Sequence, residues 1–256
     1  MNLPEYLKLP ESKEIENLDD PRTTVLHSQI IKEKAFLRNL YTDFYKIFKR
    51  TIGQNAEMMV ELGSGGGFIK EIIPDVITSD IIKVPNADMS FSAEQMPFEG
   101  GSVGAFFMID VLHHIKRPKV FFAEAQRCLK SGGKMVMIEP ANTLWSRFIF
   151  KNLHHEMFDP SAGWEMNKTG PLSDANGALA WIIFQRDRII FESEFKDLRI
   201  KNISFHTPFR YIISGGLTYR QLLPSFMYGL VNFLEICLGP FSRQLGMFET
   251  IVLEKQ

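Results

Sequence analysis

The run Met58-Met59-Val60-Glu61-Leu62-Gly63-Ser64-Gly65-Gly66-Gly67 constrains this chain more than any other stretch. Its apolar part reads as a buried strand, carries an acid two places before the first glycine, and enters a turn with glycine at Gly63, Gly65 and Gly67. A turn without side chains lets a ligand lie directly against the backbone, and amides at the start of a following helix favour a polar or anionic group. Glycine turns of this kind are common, so the rest of the chain has to supply the context.

That context is an alternation of helices and strands. Residues 1–22 read as a polar arm. From Thr23 to about Ile52, apolar residues recur at three- and four-residue steps (Ile30, Phe36, Leu37, Leu40, Phe44, Ile47, Phe48), which predicts a helix with Thr23 or Thr24 as N-cap. After the Met58–Leu62 strand and the glycine turn, a helix is expected over about Phe68–Ile73, halted near Pro74. Val76–Asp80 reads as a short strand and Val103–Ile109 as a buried one. Pro118–Leu129 reads as an amphipathic helix closed by Ser131-Gly132-Gly133, and Lys134–Ile138 as a further strand. The stretch between Ile81 and Phe98 is too short and too rich in Pro, Asn and Asp for a crossover helix. This order predicts an α/β fold: a Rossmann-like, mostly parallel sheet with helices on both faces. After Pro140 the rhythm loosens. Residues 141–190 read as loop-rich, 209–245 as strongly apolar, and Leu198–Phe205 and Met247–Leu253 as late strands.

In a parallel sheet, the carboxyl ends of successive strands converge on one ligand edge. The glycine turn, Asp80, Ser92-Ala93-Glu94-Gln95-Met96-Pro97-Phe98 and Asp110-Val111-Leu112-His113-His114 all fall there. A carboxylate at Asp80 can accept hydrogen bonds from both hydroxyls of a ribose. A nicotinamide dinucleotide is disfavoured, because the place where that fingerprint needs its third glycine is Phe68. Glu61 also adds negative charge beside the turn, which suits a cation better than a phosphate.

Together these segments resemble the class I S-adenosylmethionine-dependent methyltransferases, in the methyltransferase type 11 group that includes ubiquinone- and menaquinone-biosynthesis methyltransferases. Val60–Gly67 resembles the group's first motif, Ala93–Phe98 its Ala-Glu-x-Leu-Pro-Phe segment beside the adenine, Asp110–Ile115 the segment after the fourth strand, and Leu129–Lys134 the turn before the fifth. The resemblance spans Met58 to Pro140 and implies S-adenosyl-L-methionine as cofactor. It implies cofactor-binding roles for Glu61, Gly63, Ser64, Gly65, Gly67, Asp80, Ser92, Ala93 and Asp110. Ser92 stands where the group often has an Asp for the adenine amino group, and a serine hydroxyl is the weaker acceptor. The expected seven-stranded domain covers 1–256: arm and helix over 1–52, cofactor-binding core over 53–140, and late strands with substrate-covering insertions over 141–256.

Methyl transfer to an oxygen or carbon acid needs a base, and histidine accepts protons near neutral pH. His113, His114, His154 and His155 are the candidates. Adjacent histidines on a regular element point apart, so a metal site is not expected. The plainer alternative is that His113 and His114 cap and pack the strand end. Trp145 (shape) and Arg210 (an anionic group on the acceptor) are further candidates.

The apolar segment Leu222–Phe241 approaches membrane-span length, but Pro224, Gly229, Asn232, Glu235 and Gly239-Pro240 interrupt it. It reads first as a buried cap, with a lid over a hydrophobic substrate or a membrane-surface contact as alternatives. The 22 phenylalanines supply an aromatic core or, in part, an apolar cavity. A net charge of −1 gives no reason to expect nucleic acid. Cys128 and Cys237, the only cysteines, and a start without a signal-peptide pattern point to the cytoplasm. The acceptor is expected to be a small hydrophobic, aromatic or lipid-like molecule. A non-catalytic S-adenosylmethionine-binding scaffold and a nucleotide-dependent oxidoreductase are the alternatives.

Overall fold

Seven strands form one sheet in the order β3-β2-β1-β4-β5-β7-β6. They are β1 (Met59–Leu62), β2 (Val76–Asp80), β3 (Met89–Ser90), β4 (Val103–Ile109), β5 (Leu129–Pro140), β6 (Leu198–His206) and β7 (Phe248–Lys255). β1 to β5 run parallel, and β7 is inserted antiparallel between β5 and β6. This computed structural model describes residues 5–11, 20–53, 57–153, 157–166 and 175–256.

The chain buries both faces of its central strand, so β4 is apolar throughout rather than alternating. Successive side chains still point to opposite faces. Phe107 stacks on Phe48 with ring centroids 4.9 Å apart, while Phe106 meets Phe98. Phe48 belongs to α2 (Ala35–Ile52), which follows α1 (Pro21–Glu33). Each buried phenylalanine contributes roughly 1.5–3 kcal/mol, and Phe48→Ala would cost about 3–5 kcal/mol. A second aromatic cluster joins Phe122 on α3 (Pro118–Cys128) to Phe184, Phe191 and Phe195. These clusters make the phenylalanines chiefly core.

Three local expectations are corrected. The N-terminal helix is two helices, because Lys34 leaves the helical region and its buried Nζ donates to the carbonyl oxygens of Gly216 and Tyr219. The N-cap is Asp20, whose carboxylate accepts from the Arg22 backbone N–H at 2.8 Å; Thr23 and Thr24 lie buried inside α1. The helix expected over 68–73 is a single 3₁₀ turn, Ile69–Glu71, too short to present an anion-binding terminus.

The second half is more helical than expected. Thr143 caps α4 (Leu144–Leu153), its hydroxyl accepting from the Ser146 N–H at 3.1 Å. α5 (Leu179–Trp181) continues as a π-helix, Ile182–Arg186, and leads to α6 (Arg188–Glu194). Then come α7 (Arg210–Ser214), α8 (Tyr228–Cys237) and α9 (Ser242–Leu245). The cap expected over 222–241 is not buried. α8 turns Val231 and Glu235 inward and leaves Leu230, Phe233, Leu234 and Ile236 exposed. No helix among the described residues is long and apolar enough to cross a membrane.

Candidate functional site

The carboxyl ends of β1, β2, β4 and β5 bring together most residues expected at a ligand site. β1 ends at Leu62 and the chain turns at once. Ser64 N–H donates to the Ser79 carbonyl at 2.8 Å, and Ser79 Oγ donates to the Glu61 carbonyl at 2.8 Å, so the turn is stitched to β2. Gly65 has φ +49°, and a Cβ there would meet protein only at Gly63 O, 3.9 Å away. The backbone at Gly65 therefore faces outward as a cradle that a side chain would fill. Gly67 is different, since a Cβ there would collide with the Tyr45 hydroxyl and Ser64 O. α1 and α2 thus press against the far side of the turn.

Asp80 closes the other wall. Its Oδ2 accepts from Gly65 N–H at 2.9 Å and its Oδ1 from Ile82 N–H at 3.0 Å. Burial raises its pKa, and the backbone donors Ile82, Gly65 and Ile81 oppose that rise. Glu61 is 3 % exposed, and its Oε2 has no hydrogen-bond partner among the described residues. Burial pushes its pKa up to about 7, a hydrogen bond with Ser64 opposing and the charge of Asp80 adding to it. A buried carboxylate with an unmet acceptor beside a bare turn fits a cationic donor.

Ser92 occupies the third position. Its hydroxyl accepts from Glu94 N–H at 3.2 Å, closing the turn that holds Ala93. Arg117 binds Glu94 and Arg127 binds Glu124, while Met96 N–H donates to Glu124, so α3 fixes this segment from outside. Asp110 follows β4 with φ +55°, a left-handed conformation uncommon outside glycine.

Beyond Asp110, Leu112–His114 forms a 3₁₀ turn. His113 is buried, and its Nδ1 lies 2.6 Å from Glu139 Oε2. The other oxygen of Glu139 accepts from Val111 N–H at 2.9 Å and from Leu112 N–H at 2.7 Å. Glu139 thus fixes both the turn and the ring. The rings of His113 and His114 are 4.3 Å apart, so on this 3₁₀ turn the two adjacent rings pack together. Ligand atoms of Asp110, His113 and Glu139 gather closely enough for a metal ion. Both oxygens of Glu139, however, already engage protein groups.

Sequence reasoning missed Glu139, Glu249 and Gln185. Glu249 lies opposite Glu139 in the β5–β7 register. Burial first, then the charge of Glu139, pushes its pKa up to about 8, and Gln185 Nε2 donates to its Oε2 at 2.7 Å. The one available signal was an acid closing a strand, Ile138-Glu139-Pro140.

Residues of the second half reach His113 through the backbone. Asn176 N–H donates to the His113 carbonyl at 3.1 Å and Gly177 N–H to the Met157 carbonyl at 3.0 Å. Phe158, beside Gly177, stacks on Phe150 at 5.2 Å. Trp145 packs on Phe209 and donates to the Pro208 carbonyl. Arg210 is not free for an anionic acceptor: its Nε meets Glu235 at 2.5 Å and its Nη1 meets Asp43 and the Tyr228 hydroxyl at 2.7 Å. His154 and His155 lie outside the described residues.

Residues 60–137 match the family model described as a methyltransferase domain. The fold is similar to that of a possible histamine N-methyltransferase from Thermotoga maritima, 13 % identical over 90 % of this chain and 99 % of that one, with a TM-score of 0.51. It is also similar to a geranyl diphosphate methyltransferase in complex with S-adenosylmethionine, 14 % identical over 94 % and 93 % of the two chains, with a TM-score of 0.50. At such identities the likeness is one of fold. A search of curated protein sequences finds no match.

Proposed function

We propose that this chain, a class I S-adenosylmethionine-dependent methyltransferase, methylates a small hydrophobic, aromatic or lipid-like acceptor and that His113 takes up the proton the acceptor loses. The observation that carries this reading is the His113–Glu139 pair, set on the same sheet edge as the glycine turn, Glu61 and Asp80.

S-adenosylmethionine, when bound, supplies a methyl group on a positively charged sulfur. The residues present suit such a ligand. The Gly65 backbone gives it room, the unmet oxygen of Glu61 suits its ammonium, and Asp80 keeps acceptor capacity on both oxygens for hydroxyls. Ser92 and Ala93 would border the adenine. Glu139 holds His113 through Nδ1, and Nε2 would be the ring nitrogen that takes up the acceptor's proton. Burial of this edge would help exclude water and hold donor and acceptor in line. The aromatic pair Phe150–Phe158, which meets His113 through the Asn176–Gly177 backbone, supports an apolar acceptor.

Calorimetry with S-adenosylhomocysteine should give micromolar-range binding, and Asp80→Ala should weaken it by about 1.5–3 kcal/mol. Labelled S-adenosylmethionine incubated with cell extract should put label into the organic-extractable fraction, and His113→Asn should remove most of that transfer while sparing cofactor affinity. Label confined to the aqueous fraction would overturn the acceptor class. Full activity in His113→Asn would overturn the base.

A further inference from the structure

α8 is mounted with its polar side inward. Glu235, only 7 % exposed, accepts from the Phe209 and Arg210 backbone N–H groups and from Arg210 Nε. Tyr228 donates to Asp43 on α2 at 2.6 Å and packs edge-on against Phe36. Rolling the helix to bury its other face would strip a buried ion pair of its partners, which costs several kcal/mol. The orientation is therefore fixed, and it presents Phe226 (85 % exposed), Leu230, Phe233, Leu234, Ile236 and Phe241 to the outside. Phe226, Leu230, Phe233, Leu234 and Ile236 recur at three- and four-residue steps along one side, with Phe241 just beyond α8, the pattern of a docking face rather than of scattered surface residues.

The exposed charges that this segment itself carries have one sign. Between residues 208 and 247 Glu235 is the only acid, and Arg210 neutralises it internally. The exposed charges there are Arg220 and Arg243. α4 packs against α9, and the Thr143 hydroxyl just before it donates to the Gly246 carbonyl at 2.9 Å. It adds exposed Leu144 and Phe148 with Arg147 and Lys151, again without an acid. A two-fold contact with a second copy would bring Arg220 and Arg243 against their own counterparts. A surface that is anionic and apolar below its charges complements both features.

We infer that the outer face of α8 docks the protein on an anionic lipid surface. Phe226, Leu230 and Phe233 enter the acyl boundary, and Arg220 and Arg243 meet the phosphate level. This holds whatever the acceptor is, since it rests on the side of the molecule formed by α8 and not on the glycine-turn edge.

The test is flotation of the full chain with phosphatidylcholine vesicles, with and without phosphatidylglycerol, at low and high salt. Wild type should float with the anionic vesicles and be released by salt. Arg220→Gln and Arg243→Gln should each weaken partitioning about fivefold, and Phe233→Glu at least tenfold, with S-adenosylhomocysteine affinity unchanged. If Phe233→Glu fails to fold, the two arginine variants still decide. Equal partitioning to neutral and anionic vesicles would overturn the inference. So would a wild-type dimer in sedimentation velocity that Phe233→Glu converts to monomer, because a second copy would then own the face.

Discussion

At the carboxyl edge of the sheet Glu61, Glu139 and Glu249 are almost wholly buried, whereas on α8 Phe226, Phe233 and Ile236 stand in solvent. Each is the reverse of the ordinary distribution. At the edge, backbone amides and a histidine hold Glu139 and a glutamine holds Glu249, while one oxygen of Glu61 stays unmet; on α8, one buried ion pair holds the helix with its apolar side out. Neither arrangement maximises stability, and departures of this sort are where function is expected to outrank packing. The two regions differ in what would relieve them. A cation and hydroxyl donors would relieve the edge, while an apolar partner surface would relieve α8.

The largest expected effect comes from breaking the lock on α8. Glu235→Ala leaves Arg210 buried with only Asp43 and Tyr228 and removes the acceptor of two backbone N–H groups. Chemical denaturation should show a loss of about 3–5 kcal/mol. A loss below about 1 kcal/mol would mean that the orientation of α8 is not held by this pair.

The buried edge should show itself through pH. The carboxyls of Glu249 and Glu61 have folded pKa values raised to about 8 and about 7, above their ordinary 4.5. The folded state therefore keeps protons that the unfolded chain has released, and the stability they confer is lost as pH rises through 7 and 8. His206 works the other way at lower pH. Burial drops its pKa to about 3, so its contribution falls away below about 6.5. Between pH 6.5 and 8.5 the carboxyls act alone among these three groups, and unfolding free energy should fall by a kcal/mol or more. Glu249→Gln should flatten the upper part of that decline. An unchanged slope in the variant would show that Glu249 is already ionised at neutral pH.

How much of this could be read from the chain varies with how local the cause is. The order of strands followed from continuous apolar runs such as Val103–Ile109 and from the glycine turn, whose causes lie within a few residues. The split at Lys34 did not, because its reason is two carbonyls in the 216–219 segment. The π-helix that lets Gln185 reach Glu249 has no sequence signature of its own. His113 was legible as a candidate, but its partner Glu139 becomes visible only once β4 and β5 pair. The orientation of α8 was nearly legible. A lone acid in an apolar segment predicts a buried partner, and Arg210 and Arg220 were the two cations before it, yet the segment was read as apolar on every side.

The smallest expected effect is the sharpest test of that orientation. Val231 lies inward and Phe233 outward on the same helix, two residues apart. If burial decides the outcome, Val231→Ala should cost about 1–2 kcal/mol for the two methyl groups withdrawn from the interior. Phe233→Ser removes a far larger apolar side chain, yet should change stability by no more than about 0.5 kcal/mol, because the ring is 60 % exposed already. Thermal and denaturant unfolding of the two variants in the absence of lipid would read this directly. A Phe233→Ser cost exceeding that of Val231→Ala would mean that the ring is covered in the free protein, by a second copy or by a rolled helix, and the contrast between the two regions would collapse.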